Sequence, residues 1–272
     1  MSWLAEPFGF DFMQRALLAG ILVAAVTSIV GTWVVLRGLS FIGDALAHGV
    51  LPGIALGVLF GFSQLIGAVV SALVMVWGIG TIHRKAKLSE DTGIGLLFVG
   101  MLGLGVVMIS STSSYAGSLT GILFGDALGV DTGDLRILAI GLVVTVLVAL
   151  AFYRPFLALS FNEDKARLLG MHPRLARTVM LGLVTLAVVI AFRTVGTLLV
   201  FGLLIAPPAT ASLVTRRVPT MMLVAVAMGS LAVVGGLYFS YYAGTAAGAT
   251  MATLSVVLFF VVLAIRDVVR ES

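Results

Sequence analysis

Long apolar stretches, separated by short clusters of charge, glycine and proline, fill almost the whole chain. Nine can be marked off, at approximately residues 16–36, 40–60, 63–82, 93–110, 135–153, 178–192, 195–214, 218–238 and 245–265. About 20 consecutive apolar residues are enough to cross a bilayer as a helix. Only the sixth stretch is noticeably short of that. The pattern predicts an all-α, polytopic transmembrane helical bundle of about nine spans. It forms a single membrane domain over 1–272, with no room for a soluble domain and no soluble repeat or interdomain linker.

Composition agrees. The chain is 60% hydrophobic and 10% charged, where soluble domains carry about 25% charged residues; the mean hydropathy is +1.19. There is no cysteine, which excludes disulfides and thiolate metal sites. A net charge of +4 would suit nucleic acid only if the bases formed a patch, and they lie instead in short loops between spans. The N-terminus lacks a basic n-region and a small-residue cleavage site, so the stretch from Arg15 onward is expected to be a retained first span.

Those bases orient the chain. With the N-terminus outside, the inner loops hold Arg37, Arg84, Lys85, Lys87, Arg154, Lys165, Arg167, Arg174, Arg177, Arg216, Arg217, Arg266 and Arg270, 13 of the 16 Lys and Arg residues. Only Arg15, Arg136 and Arg193 fall outside. The positive-inside rule therefore predicts an outside N-terminus and a cytosolic C-terminus. Merging the sixth and seventh stretches would move Arg216 and Arg217 outside, a worse fit.

One span carries groups that do not belong in lipid. In "FIGDALAHGVLPGIALG", Asp44 and His48 stand four residues apart, so they share a helical face. An ionised Asp at the bilayer centre costs about 3 kcal/mol on insertion scales. Something must offset that, and a carboxylate oxygen with an imidazole nitrogen makes half a site for a divalent cation. The bland alternative is a hydrogen-bonded pair that glues helices together. Pro52, with Gly49 and Gly53 around it, should kink or break the span just beyond. Gly53, Gly57 and Gly61 repeat at four-residue spacing, which lets helices approach closely in lipid. His83, beside Arg84, and His172, in a basic loop, suit solvated positions better.

Three further segments carry signals. In "SFNEDKARLLGMHPRLAR", Glu163, Asp164, Lys165 and Ala166 open a short amphipathic helix that Gly170 and Pro173 would stop. A docking element for a cytosolic partner and a helix resting on headgroups fit that pattern equally. In "VGTLLVFGLLIAPPATASLVTRR", Pro207 and Pro208 should interrupt the helical ladder, as a hinge, a pathway wall or a packing kink. The outer loop 111–134 contains "LTGILFG", which suits a short dipping helix, and Asp126, Asp131 and Asp134. Tyr238, Tyr241 and Tyr242 fit an interfacial aromatic belt. No P-loop motif, H-E-x-x-H or readable nucleophile motif is present.

Five blocks, in order, resemble one family. "LRGLSFIGDALAHGVLPGIALG", "SEDTGIGLLFVG", "LGMHPRLAR", "VGTLLVFGLLIAPPATA" and "SYYAGTAAGAT" are similar to the ABC-3, or zinc/manganese, permease subunits of ABC transporters that import zinc, manganese or iron(II). The resemblance covers nearly the whole chain. It implies a multi-pass protein of the bacterial cytoplasmic membrane, a permease and not itself an enzyme. Two copies would pair with cytosolic ATPase subunits, which bind the ATP, and with an extracytoplasmic metal-binding protein. No cofactor is implied for this chain; Zn2+ or Mn2+ is cargo. Asp44 and His48 match the family's metal positions, and 163–170 matches its ATPase-coupling helix. Several relatives carry a carboxylate or histidine in the late block where this chain has Tyr242 and Gly244, so remaining ligands would come from the second copy, backbone, water or an acid such as Asp126. A proton-coupled metal transporter with Asp44 and His48 as relay, a non-transporting scaffold, and a siderophore- or cobalamin-type ABC permease are the rival readings.

Overall fold

The computed structural model describes residues 7–39, 41–86, 89–110, 128–161 and 170–271. Among these residues, after a 3-10 turn at Pro7–Gly9, come ten helices: α1 Asp11–Leu36, α2 Phe41–Gly49, α3 Leu51–Phe60, α4 Gln64–Ala86, α5 Glu90–Ser110, α6 Thr132–Ala151, α7 Tyr153–Phe161, α8 Pro173–Val214, α9 Val218–Ala243 and α10 Ala247–Glu271. No strand occurs among the described residues. Eight of the spans are long and apolar enough to cross a membrane, counting α2 and α3 together as Phe41–Phe60. Leu199–Val214 is a ninth, shorter apolar helix.

Local chemistry explains the ends. Gly38, at φ 67°, closes α1: its N–H donates to the Val35 carbonyl and that of Leu39 to Val34. This left-handed glycine cap satisfies the carbonyls a helix end leaves open, and it turns the chain directly into α2. At α6, Asp131 and Asp134 form a capping box, with Asp134 N donating to Asp131 Oδ1 at 2.7 Å and Asp131 N to Asp134 Oδ2 at 3.4 Å. Gly170 has a left-handed φ of 71°; the helix it was expected to stop lies outside the described residues. Pro173 does not lie in the tail of a helix; it opens α8 at its first turn, where proline's missing N–H costs nothing.

α8 combines the sixth and seventh apolar stretches. As one straight rod its 42 residues would reach about 63 Å, twice a bilayer core. The chain instead breaks at Gly196, whose φ of 74° and ψ of 168° are not helical. Only glycine adopts that backbone without strain.

The bundle is built around α1 and the α2–α3 span, each 72% buried, whereas α10 is only 17% buried. α1 packs chiefly on α8, α9 and α6; α2 packs on α8 and α5. Small residues make the crossings close, as packing in lipid favours. A Cβ on Gly31 would collide with the Leu204 carbonyl, and one on Gly53 with the Gly67 carbonyl of α4. Gly57 lies against Gln64, whereas Gly61, at φ 71°, terminates α3.

Candidate cation site

The second span divides where its sequence says it should. α2 ends at Gly49 and α3 begins at Leu51, with Pro52 in the first turn. Pro52 has no N–H to offer the His48 carbonyl four residues back. The break remains shallow, because Val50 N still donates to Leu46 O at 3.2 Å and Ile54 N to Val50 O at 3.1 Å. At the break, Ser71 of α4 donates its hydroxyl to the Gly49 carbonyl at 2.7 Å. Irregular backbone at membrane depth needs such an internal partner.

One turn before the break, the four-residue spacing brings Asp44 and His48 together. His48 Nδ1 lies 3.0 Å from the Asp44 carbonyl oxygen and 3.2 Å from Asp44 Oδ1. A carbonyl oxygen can only accept, so Nδ1 carries the hydrogen and donates it to Asp44. The Nε2 lone pair of the neutral ring is then available to a cation. Both side chains are partly open, at 20% for His48 and 28% for Asp44. An aromatic ring flanks the histidine: Phe98 of α5 meets His48 edge to face, with centroids 5.5 Å apart and planes at 89°.

No cluster of three or more His, Cys, Asp or Glu occurs among the described residues, so within them the pair stands as a half-site. Tyr242 and Gly244 do not enlarge it. Tyr242 sits in a group of rings with Tyr238 and Tyr241, and Gly244 is the left-handed cap of α9. Asp126 lies outside the described residues, as does the segment 119–125. So do Glu163, Asp164, Lys165 and Ala166; Gly170 alone of the expected coupling element is described.

The double proline departs from expectation. Pro207 and Pro208 lie inside α8, yet only Gly196 has non-helical φ and ψ there. The interruption therefore sits eleven residues upstream of the prolines. Neighbours fill in around the lost donors: the Leu204 carbonyl, four residues before Pro208, lies against Gly31 of α1, and Pro207 faces Gly229 of α9. What sequence reasoning missed was this glycine and the ring beside His48. "SEDTGIGLLFVG" contains Phe98, but nothing local to it points at residue 48.

Comparison with known proteins places this geometry. The model of the ABC 3 transport family matches residues 9–266. The manganese transport system membrane protein MntC of Listeria innocua is 35% identical, over 96% of this chain and 93% of the relative. The chelated iron transport system membrane protein YfeD of Yersinia pestis is 34% identical, over 99% and 90%. Among solved structures, PsaBC from Streptococcus pneumoniae in complex with Fab superposes with a TM-score of 0.84 at 33% identity, covering 96% of this chain and 94% of that one. A membrane-spanning helical bundle with these blocks in this order, matched along nearly its full length, belongs to the ABC 3 transport family and is a multi-pass permease of the bacterial cell membrane.

Proposed function

We propose that this chain is the permease subunit of an ATP-driven importer of divalent transition metal ions, working as a pair of copies that line the pathway. The observation that carries the reading is the Asp44–His48 pair, half-buried in an otherwise apolar span. Intramembrane ionisable residues are costly and typically mark substrate pathways. Relatives named for manganese and for chelated iron put manganese first as cargo, with zinc and iron(II) behind. One imidazole nitrogen and one carboxylate suit all three.

In this reading an extracytoplasmic donor protein releases the ion into a cavity between the copies. Asp44 and His48 Nε2 replace part of its hydration shell, and the second copy, backbone or water completes it. Two protein ligands bind weakly enough to let the ion leave, which conduction requires as much as entry. ATP hydrolysis belongs to separate cytosolic subunits. They act on the loop 163–170, the reading of that loop favoured here over a helix resting on headgroups. The distribution of Lys and Arg supports an outside N-terminus and cytosolic C-terminus. The breaks near Pro52 and Gly196 are the places where the helices would flex.

Manganese uptake by intact cells under two kinds of de-energisation tests this. Depleting ATP while respiration maintains the proton gradient should abolish uptake, and collapsing the gradient while ATP is retained should leave it largely intact. The reverse pattern would assign Asp44 and His48 to a proton relay in a secondary transporter.

A further inference from the structure

We infer that Phe98 positions His48 and sets the cation selectivity of the site, an inference that rests on the cation-site reading above. Phe41, Asp44 and His48 follow one another at i, i+3 and i+7 on α2, so they form one stripe. α5 runs alongside that stripe. Its Gly105 seats against the break, where an added Cβ would lie 2.8 Å from the Leu51 Cβ and 3.2 Å from Pro52 N. Seven residues earlier on the same helix, the half-buried Phe98 reaches both ends of the stripe. Its ring is 5.5 Å from His48 at 89° and 6.4 Å from Phe41 at 83°.

Two constraints then act on one imidazole. The bond from Nδ1 to Asp44 fixes which nitrogen is free, and a ring held perpendicular to the imidazole fixes where that nitrogen aims. Partners that orient a ligating histidine govern metal affinity nearly as much as the ligand does. Phe98 also presents only carbon. The face of His48 that its ring covers therefore gains no oxygen ligand from α5 at that position. Magnesium dehydrates reluctantly and keeps several waters in near-octahedral array. Zinc and iron(II), and manganese to a lesser degree, accept an imidazole nitrogen more readily than magnesium does. A bulky carbon wall against the imidazole therefore selects against the abundant hard cation.

The experiment measures initial manganese uptake, with and without excess magnesium as competitor, in cells carrying wild type, Phe98→Leu, Phe98→Met, Phe98→Tyr or His48→Ala. Phe98→Leu and Phe98→Met should raise the KM for manganese about tenfold, the lower end of the effect of removing a ligand-orienting partner. Vmax per permease should stay within about twofold, and magnesium should become an effective competitor. Phe98→Tyr, which keeps the ring, should retain the wild-type KM. The magnesium sensitivity compares two cations on the same protein, so it is readable even where a variant accumulates poorly. Unchanged KM and unchanged magnesium exclusion in both Phe98→Leu and Phe98→Met, with His48→Ala inactive, would overturn the role of Phe98 alone. Wild-type uptake by His48→Ala would overturn the cation site itself.

Discussion

Asp44 engages His48 twice, through its carbonyl and through its carboxylate, and the two contacts do different work. The backbone contact settles the tautomer, because a carbonyl cannot donate. The carboxylate adds charge and leaves its second oxygen for a cation. Asp44→Asn keeps the shape and the backbone bond while removing the charge. Metal uptake by Asp44→Asn should therefore fall by about 10- to 100-fold, the range for losing a carboxylate at or next to a ligating histidine, with membrane abundance unchanged. Initial uptake rates normalised to permease content measure this. A loss of uptake that merely tracks a loss of abundance would make Asp44 an assembly residue. The spacing of the two residues made their shared face legible in the sequence, since i and i+4 meet on any helix. Phe98 was not legible in the same way. Its approach to His48 depends on how α5 packs against α2, and no local periodicity encodes that contact.

At the scale of the helices, α8 shows where pattern reading succeeds and where it stops. Two stretches of apolar residues on either side of Arg193 were legible as separate spans, and the chain leaves helical geometry at Gly196, just inside the second of them. The double proline drew attention because each proline costs about 3 kcal/mol in a helix interior of a soluble protein. Yet the helix passes through both. Buried in the bundle, the Leu204 carbonyl, which Pro208 leaves without a donor, is met by a neighbour. Gly31 brings α1 close enough for its Cα–H to face the Leu204 carbonyl, a weak hydrogen-bond geometry that recurs at helix–helix contacts. Gly196 itself is one of 32 glycines, and its positive φ comes from tertiary fit that composition does not reveal. Gly31→Ala should force α1 and α8 apart and destabilise the protein by about 1–3 kcal/mol, the usual cost of overpacking. Gly80→Ala, where an added Cβ meets nothing within 4 Å, is the matched control. Thermal unfolding in detergent checks the pair; equal midpoints would mean that the α1–α8 contact is slack.

Over the whole molecule, burial sorts the helices by task. α1 and the α2–α3 span form the centre, and α5, α6 and α10 keep most of their surface outside the single copy. Large apolar side chains such as Val99, Val107, Leu147, Phe260 and Ile265 stand exposed there. In water so large an apolar surface would be a liability, whereas lipid or a second copy accepts it without cost. The site sits at the edge of the centre, on α2 where it meets α5. In the proposed reading, a second chain completes the pathway at that position. About nine spans were expected, and eight helices among the described residues are long and apolar enough to cross, Leu199–Val214 being shorter. The apolar character of the spans and the presence of Asp44 and His48 in one of them could be read from the sequence. The distribution of helices between centre and periphery could not, because nearly every stretch is equally apolar and lipid imposes no hydrophobic ranking among them.

The most direct test of the account is cellular metal content, measured by mass spectrometry in a strain lacking this permease and complemented with wild type or with His48→Ala at equal membrane level. The account predicts that wild type restores manganese, or another single transition metal, and that His48→Ala does not. Equal restoration by both would show that Asp44 and His48 only hold helices together and that the ion travels by another route.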